Sequence, residues 1–238
     1  MKKKILLVVS VVLCAALLVA GSLAGTFAYL TAKITITNTF TVGNVKIDLT
    51  ESLVDLDGTP IAGAQRVHQN EYHLVPGSTY TKDPMISIAA NSEANYLFVN
   101  VKNGLSSLAM SVEEAEDRDL KTVAQQLAAN GWVPLSGLTG TGGVAPSNAA
   151  DIYVYTFKET VDSATVKYIV PKSAEVTTIK VFDTFTVSNY VTDVQLADCE
   201  GATIEITAYA VQGEGFESPV DAWNKTFGAP AETTPVQS

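Results

Sequence analysis

Chemistry needs side chains that hold a metal, move a proton or attack carbon, and this 238-residue chain offers few of them. Its two histidines, His68 and His73, flank Glu71. Zinc peptidases commonly set two His at i and i+4 on one helix face, with a Glu between them as base. Here the histidines are five apart. On a helix they would stand ~140° apart at 3.6 residues per turn. On a strand, Glu71 and His73 would share a face while His68 points away. Neither geometry gathers the three, and the plain reading is loop or surface histidines.

The other candidates are thinner. Asp55 and Asp57 precede Gly58, but the remaining ligands of an EF-hand loop are missing, so the run reads as a turn. The glycines between Gly131 and Gly143 are not followed by Lys and Ser or Thr in phosphate-loop order. No nucleophile-elbow pattern supports a Ser–His–Asp triad. Tyr153, Tyr155 and Phe157 would line one face of a strand, where aromatic rings can stack on sugars. A central strand of a sandwich gives the same pattern. Cys199 reads as a small buried hydrophobe. We therefore expect no catalytic residue, no metal and no cofactor, and a chain that is not an enzyme.

The address is written more plainly. Lys2–Lys4 precede the apolar run Ile5–Ala20, and small residues follow. This is the form of an export signal, with candidate cleavage sites at Ser22-Leu23-Ala24 and Thr26-Phe27-Ala28. An uncleaved anchor is the rival reading, because no charge occurs from Ile5 to Ala32, long enough to cross ~30 Å of hydrocarbon. Cys14 has a bulky Leu13 before it, inside the apolar run, which argues against a lipoprotein. Once residues 1–28 are removed, 12 cations face 25 anions. That balance argues against binding nucleic acid or anionic lipid. At 47% hydrophobic and 17% charged, the remainder can bury a sizeable core.

The elements that would position any site read as strands. Leu30, Ala32, Ile34, Ile36, Phe40 and Val42 alternate with Thr and Lys, and Val45, Ile47 and Leu49 resume on the other parity after Gly43-Asn44. Further strands are expected at Thr79–Ile88, Tyr96–Lys102, Ile152–Phe157, Thr165–Val170, Thr177–Ser188 and Thr203–Gln212. Val112–Ala129 has helical spacing, with Ser111 and Glu114 as a capping box. The expected fold is all-β: a two-sheet β-sandwich or jelly roll over residues 43–228, with one helix-plus-loop insertion at 104–150. Residues 1–28 are the signal, 29–42 a free N-terminal strand, and 229–238 a polar, disordered tail.

Gly25-Thr26-Phe27-Ala28-Tyr29-Leu30-Thr31, with Asn38-Thr39-Phe40-Thr41-Val42-Gly43-Asn44-Val45-Lys46-Ile47-Asp48-Leu49, resembles the start of the TasA/camelysin family. Leu74-Val75-Pro76-Gly77 before Thr81-Lys82 is similar to that family's Pro-Gly turn and next strand. Ile204–Gln212 resembles its closing strand, and Ala222-Trp223 the segment behind it. The resemblance implies a jelly roll exported by Gram-positive bacteria through a dedicated SipW-type signal peptidase. It implies subunits that polymerise with themselves, head to tail, into extracellular matrix or biofilm fibres by β-strand donation. Other matrix or cell-wall components would be further partners. The donor segment would be Tyr29–Val42, inserting Leu30, Ala32, Ile34 and Ile36. A camelysin-like cell-surface metallopeptidase and a monomeric surface-binding module are the alternatives, but His-Glu-x-x-His is absent.

Signal cleavage is expected between Ala28 and Tyr29, because Thr26 and Ala28 fill the two small-residue positions. N-terminal sequencing of secreted protein should begin at Tyr29; a start at Gly25, or retention of Lys2 in a membrane fraction, would refute this.

Overall fold

Two nine-residue apolar strands lie at the centre of the computed structural model, which describes residues 44–138, 151–157, 167–199 and 202–228. These are β4 (Asn95–Asn103) and β10 (Ile204–Gln212), paired antiparallel along their whole length. On its other edge β4 pairs with β6 (Ile152–Tyr155), which in turn pairs with β5 (Trp132–Pro134). The two-residue β7 (Ile169–Val170) also pairs with β4. A second sheet has the order β1 (Ile47–Thr50), β3 (Met85–Ile88), β8 (Thr177–Lys180), again antiparallel. A third pairing joins β2 (Thr79–Thr81) to β9 (Thr184–Thr186). The fold is thus mostly antiparallel β-sheet with a few short helices, as the composition and alternation led us to expect. The signal, the cleavage bond, the Tyr29–Val42 strand and the tail lie outside the described residues. Among the described residues, no helix is long and apolar enough to cross a membrane.

The period-two pattern of each strand sorts its side chains between two cores. Ile47, Leu49, Ile86, Ile88 and Ile179 of one sheet meet Leu97, Val99, Val101, Ile204, Ile206, Ala208 and Ala210 of the other. The opposite face of the large sheet presents Tyr96, Phe98, Val154, Tyr209 and Val211. Antiparallel sheets often leave such a face to water. Here it is covered by a helix, α4 (Pro219–Phe227), through Val220, Ala222 and Trp223. The Trp223 ring lies 5.2 Å from both Phe98 and Tyr209, edge to face. Helix α4 carries ordinary start and stop signals that our strand-based reading passed over. Ser218 caps it by accepting from the Asp221 N–H, Pro219 opens it, Lys225 closes it and Gly228 follows.

Two expected strands are each cut in two at one place. Thr79–Ile88 becomes β2 and β3, and Thr177–Ser188 becomes β8 and β9. The pairing register is nevertheless continuous: Thr81 faces Thr184 and Met85 faces Lys180. Lys82 N–H donates to the Asp183 carbonyl at 3.0 Å, and Val181 N–H to that of Pro84 at 2.9 Å. The ribbon breaks because Pro84 has no N–H to return, and because Gln126 Oε1 takes the Asp183 N–H that would otherwise return to Lys82. The single ribbon therefore turns a corner from one sheet to another without losing its register.

The expected helix Val112–Ala129 is also two helices, α1 (Val112–Asp117) and α2 (Val123–Ala129). Asp119 sits at φ 52°, which ends the first. Ser111 caps α1 as expected, accepting from Glu114 N–H, but the Glu114 carboxylate is drawn away to Arg118 and the Asn189 N–H. The reciprocal capping box is formed instead by Thr122 and Gln125 at the start of α2. The segment 104–150 is more than a surface excursion: Leu105, Leu108, Leu127 and Trp132 are core residues, and β5 joins the large sheet. A last short helix, α3 (Asp193–Asp198), had no counterpart in the pattern.

Lys82, at the corner, forms a buried ion pair with Glu51, Nζ to Oε2 2.9 Å. Removing one partner leaves an uncompensated buried charge, which costs about 3–5 kcal/mol. Lys82→Met should lower unfolding stability by that order in urea denaturation. Lys82→Met with Glu51→Leu should regain most of it, since paired removal of buried ions is often neutral.

Candidate functional site

The sheet edges are where an antiparallel architecture can engage another chain. An open edge presents unpaired N–H and C=O groups to any extended segment, and proteins usually blunt such edges. Most edges here are blunted. On β1, Glu51 exchanges two 2.8 Å bonds with Val67, and His68 Nδ1 lies 2.8 Å from the Leu49 carbonyl. A carbonyl only accepts, so Nδ1 carries the hydrogen. On β8, Trp132 Nε1 donates to the Lys180 carbonyl at 2.8 Å and Asn130 Nδ2 to that of Val181 at 3.1 Å. On β9, the Gln126 amide bridges Thr184 N–H and C=O, and Met110 N–H donates to Thr186. On β2, Thr81 N–H donates to Gly58, and its carbonyl accepts from Tyr72 Oη at 3.0 Å. The outer strand β5 is three residues long and ends at Pro134.

The β10 edge is different. Gly104 N–H donates to Thr203 and Gly213 N–H to Ala94, the two ends of the β4–β10 ladder. In an antiparallel ladder, bonded pairs alternate. Odd-numbered residues of β10 therefore bond to β4, while Ile204, Ile206, Ala208, Ala210 and Gln212 turn their N–H and C=O outward. No strand of the described residues lies along that side. The side chains of Ile204, Ile206, Ala208 and Ala210 face the inter-sheet core, and Tyr209 and Val211 face α4. The strand is nine residues long, free of Pro and Lys and buried on both faces, with Ile206 1% and Ala210 0% exposed, so its edge is not open to water although no capper is found among the described residues. The β1 strand, whose lead-in residue Val45 is fully buried, runs close to β10. The long alternating run Tyr29–Val42 precedes it in the chain.

The residues singled out from the sequence fall elsewhere. His68 serves the β1 edge, and His73 contributes its N–H to Leu56 and its carbonyl to Tyr80 Oη. Among the described residues, no group of three or more His, Cys, Asp or Glu is placed to hold a metal ion. Asp55 folds back on its own turn, accepting from Asp57 and Thr59 N–H. Tyr153 and Tyr155 lie on the inner strand β6, half-buried against the inter-sheet core, with Tyr155 5.3 Å from Trp132. Cys199 Sγ lies 3.3 Å from Ser107 Oγ. Cleavage residues Ala28 and Tyr29 and donor residues Leu30, Ala32, Ile34 and Ile36 are outside the described residues. The residues that sequence reasoning missed are the cappers, above all Arg66 and Gln126, whose roles are set by partners far along the chain.

Arg66 is the hub of the clasp that closes the β1 end. Its guanidinium reaches the Asp83 carboxylate at 3.1 Å, the Asp83 carbonyl at 2.7 Å and the Thr50 carbonyl at 2.9 Å. Ser52 adds N–H and hydroxyl bonds to Asp83 at 2.7 and 2.8 Å. Burial alone would raise the Asp83 pKa, but these donors outweigh it and hold the carboxyl below its usual value. Glu114 is held low in the same way by Asn189, Ser188 and Arg118. Beneath the clasp, burial and then the anions Glu51 and Asp83 push the Tyr72 phenol upward, so it stays a donor to Thr81.

Compared with protein-family models, with curated proteins and with solved structures, the chain matches none.

Acid should loosen the clasp. A carboxyl whose folded pKa lies below its unfolded value, ~4 for Asp and Glu, stabilises the fold fully above the unfolded value. That contribution is lost as pH falls through the folded one. Denaturation midpoints should therefore drop on acidification below the ordinary carboxylate range, and Asp83→Asn should flatten part of that drop. An unchanged acid limb in Asp83→Asn would contradict the assignment.

Proposed function

We propose that the chain is a secreted structural subunit of extracellular fibres, assembled head to tail by β-strand addition onto the outer edge of β10. The single observation that carries this is that edge: nine residues, both faces buried, outward amides uncapped among the described residues. Among the described residues, β1, β2, β8 and β9 are shorter and each carries at least one capping bond. In β-augmentation, main-chain hydrogen bonds supply affinity and alternate side chains supply specificity. The run Tyr29–Val42 has the matching form. Fourteen residues at ~3.4 Å each reach roughly 48 Å, well beyond an ordinary strand. Its apolar parity, Leu30, Ala32, Ile34 and Ile36, suits a groove whose own lining is Ile204, Ile206 and Ala208. Donor and acceptor are different surfaces, so the contact is heterologous and propagates as an open filament. The resemblance to the TasA/camelysin family, which implies a jelly roll and a matrix role, supports the same reading. Cleavage after Ala28 would free the donor end only outside the cell.

Two variants separate donor from acceptor in electron microscopy of the mature protein. Deleting Tyr29–Ile36 should leave a folded monomer that still caps the growing ends of wild-type filaments. Ala208→Pro removes one outward N–H without touching the β4 ladder, an edge position that tolerates proline. It should fold, fail as an acceptor and still donate. Filament growth at the wild-type rate by either variant alone would sink the reading.

A further inference from the structure

Among the described residues, eight large apolar side chains are exposed. Four of them, Leu56, Val75, Val112 and Tyr190, belong to segments tied into one junction. Gly77 N–H donates to the carbonyls of Val187 and Ser188 at 3.1 and 3.3 Å. Arg118 Nη2 donates to the Gly77 carbonyl at 2.8 Å, and Asn189 N–H to Glu114 Oε1 at 2.7 Å. Gly77 has φ 77°, and a β-carbon there would collide with Asn189 Oδ1, so the turn and the 188–190 segment are in contact. Val75 lies two residues before that turn, Val112 two before Glu114, and Tyr190 directly after Asn189. His73 N–H donates to the Leu56 carbonyl at 2.7 Å, which brings the 55–58 turn alongside. Tyr190 is 80% exposed. Apolar side chains gathered this way mark interaction sites.

The charge around them says what kind of partner fits. Asp57, Glu113, Glu116 and Asp117 are exposed on the same segments. Of the nearby cations, Arg118 is held by Glu114 and Gly77, which leaves Lys121. A second copy of this face would bring like charges together, and the chain as a whole carries −10. We propose that this end of the protein docks a cationic segment of another protein, one that carries apolar side chains between its Lys and Arg residues. The proposal is independent of strand addition at β10, which lies on other residues.

A fluorescein-labelled ten-residue peptide of alternating Lys and Leu serves as the probe, with fluorescence anisotropy on the full mature protein as the readout. Val112→Ser with Tyr190→Ser should weaken binding about tenfold, as should Glu113→Gln with Glu116→Gln, and added salt should act in the same direction. Surface substitutions of this kind are close to neutral for stability, and melting curves check it. Should the first pair disturb folding, Leu56→Ser with Val75→Ser replaces it. Three results would overturn the proposal. One is wild-type affinity in the apolar variants. Another is equal binding of a Lys–Ser peptide, which would mean charge alone. The third is a change in the protein's own sedimentation on apolar substitution without peptide, which would make a second copy the occupant.

Discussion

A single imino acid does much to decide this architecture. Pro84 cannot return a hydrogen bond across the ribbon formed by 79–88 and 177–186, so the pairing opens there while its register holds on either side. Opening the ladder at one point frees the Asp183 N–H to be taken by Gln126 of α2. It also lets Lys82 turn inward to Glu51, and Asp83 outward to Arg66 and Ser52. The corner between sheets, the anchoring of the helical segment and the closing of the β1 end thus all follow from the same interruption. Buried charge at such a place is costly unless paired. Both acidic groups here have a cation within 3.1 Å.

The strands were legible because their burial follows period two. Tyr96–Lys102 and Thr203–Gln212 are found within a residue or two of their expected ends, and the Ile47–Leu49 alternation places both side chains inward. What failed to show was any break within an unbroken apolar pattern. A periodicity count does not register that Pro84 faces a partner strand rather than solvent, or that Gln126 competes for the partner's amides. The single expected helix had the same weakness. Its apolar spacing runs through residues 118–122, yet Arg118 is pulled to the Gly77 carbonyl and Asp119 takes a left-handed conformation. Helix α4 was legible in its caps, and was missed because a short amphipathic segment after the last strand was not weighed for them.

Of the proposed contact, the sequence offers only the donor run, which lies outside the described residues. A long alternating N-terminal run can be read directly, and it suggests a strand seeking a partner. Which edge is left open cannot be read that way, because an edge is defined by the absence of cappers, and those come from distant residues: Trp132 for β8, His68 for β1, Tyr72 for β2. The histidines illustrate the same point from the other side. Their residue type suggested chemistry, and the fold assigns His68 to hydrogen bonding a strand carbonyl.

The ladder between β4 and β10 has a mechanical meaning beyond its share of the core. Its strands are antiparallel and matched over nine residues, from Ile204 opposite Asn103 to Gln212 opposite Asn95. A pull along β10 loads all of its cross-strand bonds in shear, and none can yield alone as they would if the strand were peeled from one end. Failure under force is governed by the unfolding rate, not by the equilibrium between folded and unfolded chains. Tension passing through this sheet would be carried by strand length and by the two cores that clamp it, so the protein's endurance under load is set separately from its resistance to acid or urea.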